Sequence, residues 1–258
     1  MIGTQILVAF ILTCVTTLAY GHEFWLQPNI YRADPGTEIN ISVYVGQNYR
    51  GDSLPYIPDW VARFEAISNS SAANIMAGIG DDPAGRFVLS TPGQYVVSYL
   101  GHPESTDIGP LKFRQYLKDA GLEHLVKEQQ LSREKSIHEQ YIRCAKTIID
   151  AGGEGPVMEP AGLILEIVPL QNPYRVRAGK KLTVKVLFDG KPLVSALLIA
   201  FPRSRSEMPI KVRTDQSGLA SVPLHPDEWL LHVVHLVPVD DGVTDWKSYW
   251  GSLTFKLN

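Results

Sequence analysis

The chain has 258 residues, and its 24 Lys and Arg against 27 Asp and Glu give a formal net charge of -3 at pH 7. So even a balance offers no basic face of the kind that nucleic acid or an anionic membrane requires, and neither is an expected partner. The length allows one large domain or two of about a hundred residues each, with substantial cores.

Residues 6–18 form an uncharged apolar run too short to anchor stably in a bilayer. Ala19-Tyr20-Gly21 follows with small residues where signal peptidase needs them, so residues 1–21 read as a signal peptide cut before His22. Thr17-Leu18-Ala19 offers a second cut after Ala19, and the first five residues depart from the usual leader in carrying no Lys or Arg. Cys14 lacks a preceding Leu-Ala-Gly lipobox, which argues against a lipid anchor. No later segment is apolar for long enough to span a membrane, so the processed protein is expected to be soluble and periplasmic. Cleavage leaves Cys144 alone, so no intrachain disulfide is expected to hold the fold.

Residues 22–108 alternate in short runs between turns. Asp34-Pro35-Gly36 precedes Ile39, Ile41, Val43 and Val45, and Thr91-Pro92-Gly93 precedes Tyr95, Val97 and Tyr99, which predicts an antiparallel β-sandwich. Residues 109–152 read as a helical insert, with helices over 110–120 and 132–150. The second would be capped by Ser132 and carry Ile137, Tyr141, Cys144, Ala145, Ile148 and Ile149 as one stripe. Residues 153–162 read as a linker. From 163 to 258 the β pattern returns as six or seven strands with turns at Asp189-Gly190 and Thr214–Gly218. The predicted fold is mainly β: two Ig-like or prealbumin-like sandwiches with a helical insert between them.

Enzyme motifs are scarce. There is no G-x-S-x-G, P-loop or dinucleotide fingerprint, and neither HExxH nor zinc-type Cys spacing occurs. For metal chemistry the most informative residue is His22, whose plain alternative is a surface His near a processed end. Cleavage after Gly21 places the α-amine and imidazole of His22 on one residue, a nitrogen chelate suited to Cu(II), Ni(II) or Co(II). Cleavage after Ala19 would give Tyr20-Gly21-His22, which also binds Cu(II) or Ni(II). His232 and His235 share an apolar strand at an odd separation, so they face opposite sides. Trp246, Tyr249 and Trp250 could stack on a sugar or peptide, although packing is the default for such a pattern.

HEFWLQP, VGQNYRGDSLP, KFRQYLKDAGLEHL, YIRCAK, LEIVPLQNPY, VLFDGKPL and the ending HLVP…DWKSYWGSLTF resemble, in order, the bacterial domain-of-unknown-function 4198 family. That family is described as similar to periplasmic, NikM-like components of nickel or cobalt uptake. The resemblance implies His22 and His235 as metal ligands, with Glu23, Trp25, Asp245 and Trp246 around them. Lys247 stands where an acidic residue is usual. Tyr141, Arg143 and Lys146 match a Tyr-x-Arg-x-x-Lys pattern that would join the insert to the sandwich. The expectation is a non-catalytic, exported protein that binds nickel, cobalt or copper for uptake or handling, with an inner-membrane permease as partner. The competing class is a sandwich that binds carbohydrate or a protein in the envelope. A copper oxidase with an N-terminal His brace is the outlying enzyme reading.

Overall fold

The computed structural model describes residues 23–69, 71–125, 136–177, 179–239 and 241–257; the leader and His22 lie outside the described residues. In chain order the elements are β1 (Glu23–Pro28), β2 (Glu38–Gln47), β3 (Arg50–Leu54), β4 (Val61–Ile67), β5 (Ala72–Asn74), β6 (Gly85–Val88), β7 (Gln94–Gly101) and β8 (Glu104–Ile108). The helix α1 (Pro110–Asp119) comes next, then β9 (Ile137–Asp150), β10 (Leu165–Pro169), β11 (Lys181–Phe188) and β12 (Lys191–Pro192). The remaining strands are β13 (Leu197–Pro202), β14 (Ile210–Arg213), β15 (Leu219–Pro223), β16 (Asp227–Pro238) and β17 (Trp246–Leu257).

These strands make three sheets. A nine-stranded sheet runs β14-β13-β16-β17-β9-β7-β4-β5, with β8 also on β9. An N-terminal sheet joins β1, β2, β3 and β6, and a C-terminal sheet joins β10, β11, β12 and β15. Neighbouring residues of the large sheet belong to different cores, as alternation along a strand requires. Val97, Ile149 and Val234 join Phe24, Leu26, Ile39 and Ile41 of the N-terminal sheet. Val96, Ile148 and Val233 join Leu165, Ile167, Leu182 and Val184 of the C-terminal sheet. The two sandwiches therefore share their middle sheet. All its pairings are antiparallel except β17 with β9, which run parallel from Trp246 opposite Glu139 to Thr254 opposite Thr147.

The helix expected over 110–120 is α1. Pro110 opens it after an extended Gly109, and Leu117, Phe113 and Tyr116 bury its inner face. Gly121 (φ 67°) ends it in a Schellman motif, with Gly121 N–H donating to Lys118 O at 3.1 Å and Leu122 N–H to Leu117 O at 2.7 Å. A Cβ at Gly121 would also meet the side chains of Arg213 and Leu197 at 2.8 Å.

The second expected helix is corrected. Residues 137–150 form β9, a strand inside the shared sheet, and 132–135 lie outside the described residues. The stripe misled because β9 is covered on both sides. Cys144 and Ile148 face one core while Ala145 and Ile149 face the other, so no polar alternation survives. Lys146 spans from β9 to the C-terminal sheet, where Nζ lies 2.5 Å from Glu166 Oε1 with both side chains buried. Glu166 also accepts from Ala161 N–H at 2.6 Å and Leu163 N–H at 3.0 Å, so the pair is well satisfied. Arg143 pairs with Glu104 at 2.5 Å, and Tyr141 stacks on Trp250 with ring centroids 5.2 Å apart.

Candidate functional site

The first described residue anchors the site. Glu23 begins β1 opposite Gly46, beside the β2–β3 hairpin. That hairpin turns through Asn48 (φ 53°) and Tyr49 (φ 57°), the left-handed pair that a two-residue turn of this hand requires. Asn tolerates the conformation; Tyr does so at a cost. Glu23 supplies the compensation, its carboxylate accepting from Asn48 N–H at 3.0 Å and Tyr49 N–H at 2.7 Å. The Tyr49 ring meets Trp25 edge-on at 5.3 Å, and its hydroxyl donates to Glu228 at 2.7 Å. Arg203 lies over that ring at 4.7 Å and donates to Tyr49 O at 2.7 Å. Gly46 lets the two strands approach, since a Cβ there would lie 2.0 Å from Arg50 O. Burial pushes the Glu23 carboxyl up to about 7 even though the two backbone donors pull it down.

Glu23 also lines a cavity of about 120 Å³ between the turn, the C-terminal end of α1 and the β13–β14–β16 part of the shared sheet. Gln47, Asn48, Tyr116, Asp119, Lys211 and His232 contribute its other polar groups, and Ile199, Phe201 and Val234 make an apolar wall. Arg213 fixes the helix end by donating to Gly121 O at 2.9 Å, which sets Asp119 at the rim. Behind the cavity, Trp250 Nε1 donates to Tyr116 Oη at 3.0 Å. Burial raises the nearby Glu139 carboxyl above its usual range, with the Ser248 and Tyr116 hydroxyls drawing it part of the way back. No Ser, Thr or Cys lines the cavity, and Tyr116 brings a phenolic hydroxyl to it.

The residues expected from the sequence are dispersed. His22 lies outside the described residues. Trp25 is core, stacked on Tyr44 at 5.3 Å. His235 faces the other side of β16, edge-on to Phe188 at 4.4 Å, and burial pulls its imidazole pKa down. Asp245 ties the start of β17 to β9, its Oδ2 accepting from His138 N–H and its own N–H donating to His138 O, both at 2.8 Å. Trp246 packs on Phe113 at 5.9 Å. None of these four lines the cavity; His232, only 4% exposed, does. Among the described residues no group of three or more His, Cys, Asp or Glu is placed to hold a metal ion. The odd spacing of His232 and His235 correctly put them on opposite faces. Which face meets β1 depends on the shared sheet, and no local signal carries that.

No described helix is long and apolar enough to cross a membrane. No curated protein matches the chain. A solved structure, the D0-D1 domain of Intimin, is similar over 91% of this chain and 97% of its own, at 15% identity and a TM-score of 0.21; at that superposition it carries no argument about the site. Residues 19–237 match the profile of a domain of unknown function, DUF4198, and the chain belongs to that family.

Proposed function

We propose that this protein is an exported, non-catalytic binding module that takes a divalent transition-metal ion as cargo at the cavity beside Glu23, for delivery to an uptake permease. Nickel or cobalt is the first choice and copper the second, in line with the resemblance drawn from the sequence. The observation that carries the reading is that His232 lines the same cavity as Glu23, the residue covalently next to position 22. His232 supplies one imidazole and Asp119 a carboxylate at the rim, both acceptable to these ions. Because no three-donor group exists among the described residues, the reading requires the amine and imidazole of His22 to complete the set. Glu23 is not a ligand here, because its oxygens already accept two backbone N–H groups.

Equilibrium dialysis of protein beginning at His22 against Ni(II), Co(II) and Cu(II) tests this. One ion per chain should be retained, with affinity ranked copper above nickel above cobalt and falling as pH drops through about 6.5, where imidazole protonates. His232→Ala should weaken binding by about tenfold or more, one lost donor exceeding about 1.4 kcal/mol, and one extra residue before His22 should do the same. His235→Ala should leave binding unchanged. Stoichiometric retention that survives both His232→Ala and the added residue would sink the reading.

A further inference from the structure

A second cleft, of about 490 Å³, lies between the β9–β10 and β10–β11 connections. Its lining includes Asn172, Arg175, Arg177, Lys180, Lys181 and Glu154. Glu154 is engaged by Arg175 at 2.5 Å. Arg177, Lys180 and Lys181 are exposed and form no side-chain ion pair among the described residues, so three cations stand together in a chain of net charge -3. Such a concentration of one sign raises the local potential toward anions.

Asn172 adds an independent sign. It is only 6% exposed, and its Oδ1 accepts from Tyr174 N–H at 3.0 Å. That bond fixes the amide's orientation, because only the oxygen can accept from a backbone N–H. The other end, Nδ2, is then a buried donor with no hydrogen-bond partner among the described residues. Leaving such a donor unmet costs about 1–3 kcal/mol, so it marks a place where an acceptor is missing.

We infer that this cleft binds a phosphate group, with the Asn172 amide and the cations Arg177, Lys180 and Lys181 as its donors. Several tetrahedrally disposed anionic oxygens suit a guanidinium fork, two ammonium groups and one amide better than a single planar carboxylate does. The same group occurs as the free anion and in a phospholipid headgroup.

Calorimetric titration of the purified protein with inorganic phosphate at low ionic strength should give saturable binding that weakens as salt is added. Asn172→Asp keeps the acceptor for Tyr174 N–H and the side chain's shape but replaces the donor with a carboxylate. It should weaken phosphate binding by about tenfold or more, which is about 1.4 kcal/mol. The exposed pair Arg177→Glu and Lys180→Glu should abolish binding with the melting temperature unchanged, which covers the case in which the Asn172 variant folds poorly. Sedimentation with phosphatidylglycerol vesicles, against phosphatidylcholine controls, separates the sources. Vesicle binding that Asn172→Asp removes assigns the phosphate to a headgroup, and response to the inorganic ion alone assigns it to the free anion. Binding of either probe that ignores both variants, or no saturable binding of either by the unaltered protein, overturns the inference.

Discussion

The two faces of the shared sheet are built from different materials. Toward the C-terminal sheet it buries mainly aliphatic side chains, among them Leu198, Leu231, Val233 and Leu253, with Trp229 and Phe255 as the large exceptions. The charged groups buried there, Lys146 and Glu166, satisfy one another. Toward the N-terminal sheet and α1 it buries aromatics such as Tyr95, Tyr99, Phe113 and Trp250, and beside them Glu23, Glu139 and His232. The Glu23 and Glu139 carboxyls are held above their usual range by burial. A close-packed aliphatic face secures stability, whereas a face that buries carboxyls with raised pKa values is where ligand chemistry is expected. The two histidines of β16 show the contrast in a single strand. His235 is packed into rings and His232 opens on a cavity.

The largest test of this contrast lies on the aliphatic face. Glu166→Ala strands the Lys146 ammonium in the core and should cost about 3–5 kcal/mol in a denaturant melt. Combining Lys146→Met with Glu166→Gln should cost much less, since no buried charge remains and an acceptor for Leu163 N–H is kept. An equal loss in both proteins would mean that the backbone contacts of Glu166, rather than its charge, hold this layer.

A smaller effect is expected at Glu23, and its sign distinguishes the other face. The carboxyl is raised from 4.5 to about 7, so the folded protein holds a proton that the unfolded chain has released. Its contribution is therefore fully present below about pH 4.5 and is lost as pH rises to about 7, a decline of about 2 kcal/mol after allowing for residual solvent. Glu23→Gln should flatten that decline while costing about 1 kcal/mol throughout, because an amide cannot accept from both turn N–H groups. A decline of full size in the variant would mean that another group is responsible.

The smallest effect is expected at Cys144. It is fully buried, and its thiol is pushed up to about 11, so alkylating reagents should leave the native protein unlabelled and reductant should not move its melting temperature. Rapid labelling under native conditions would show that the aliphatic face opens far more readily than its packing allows.

Much of the fold was legible wherever one residue punctuates a local pattern. Pro110 and Gly121 bracket α1, and Asp189-Gly190, both at positive φ, turns β11 into β12 as the sequence suggests. β9 was illegible for a physical reason. A strand covered by a sheet on each side has no face left to mark with polar residues, and its apolar positions then fall by chance at helical spacing. The site fared similarly. Glu23 was expected beside the metal ligands, but its work of holding a turn formed by Asn48 and Tyr49 depends on strand pairing some 25 residues away. Asp245 and Trp246 drew notice as a motif, and in the structure they fasten β17 to β9 and α1. The orphaned Asn172 amide has no counterpart in sequence at all, because burial creates it.

The parallel seam between β9 and β17 also governs how the molecule can be made. Residues that meet across it are 107 positions apart, so on a growing chain β9 waits with a bare edge until β17 emerges. During that interval the N-terminal sheet, β4 and β7 can assemble on one side of β9, while the C-terminal sandwich still lacks its innermost strand. Such late closure makes for slow folding and a sticky intermediate, and it gives a holding chaperone a defined moment and a defined surface on which to act.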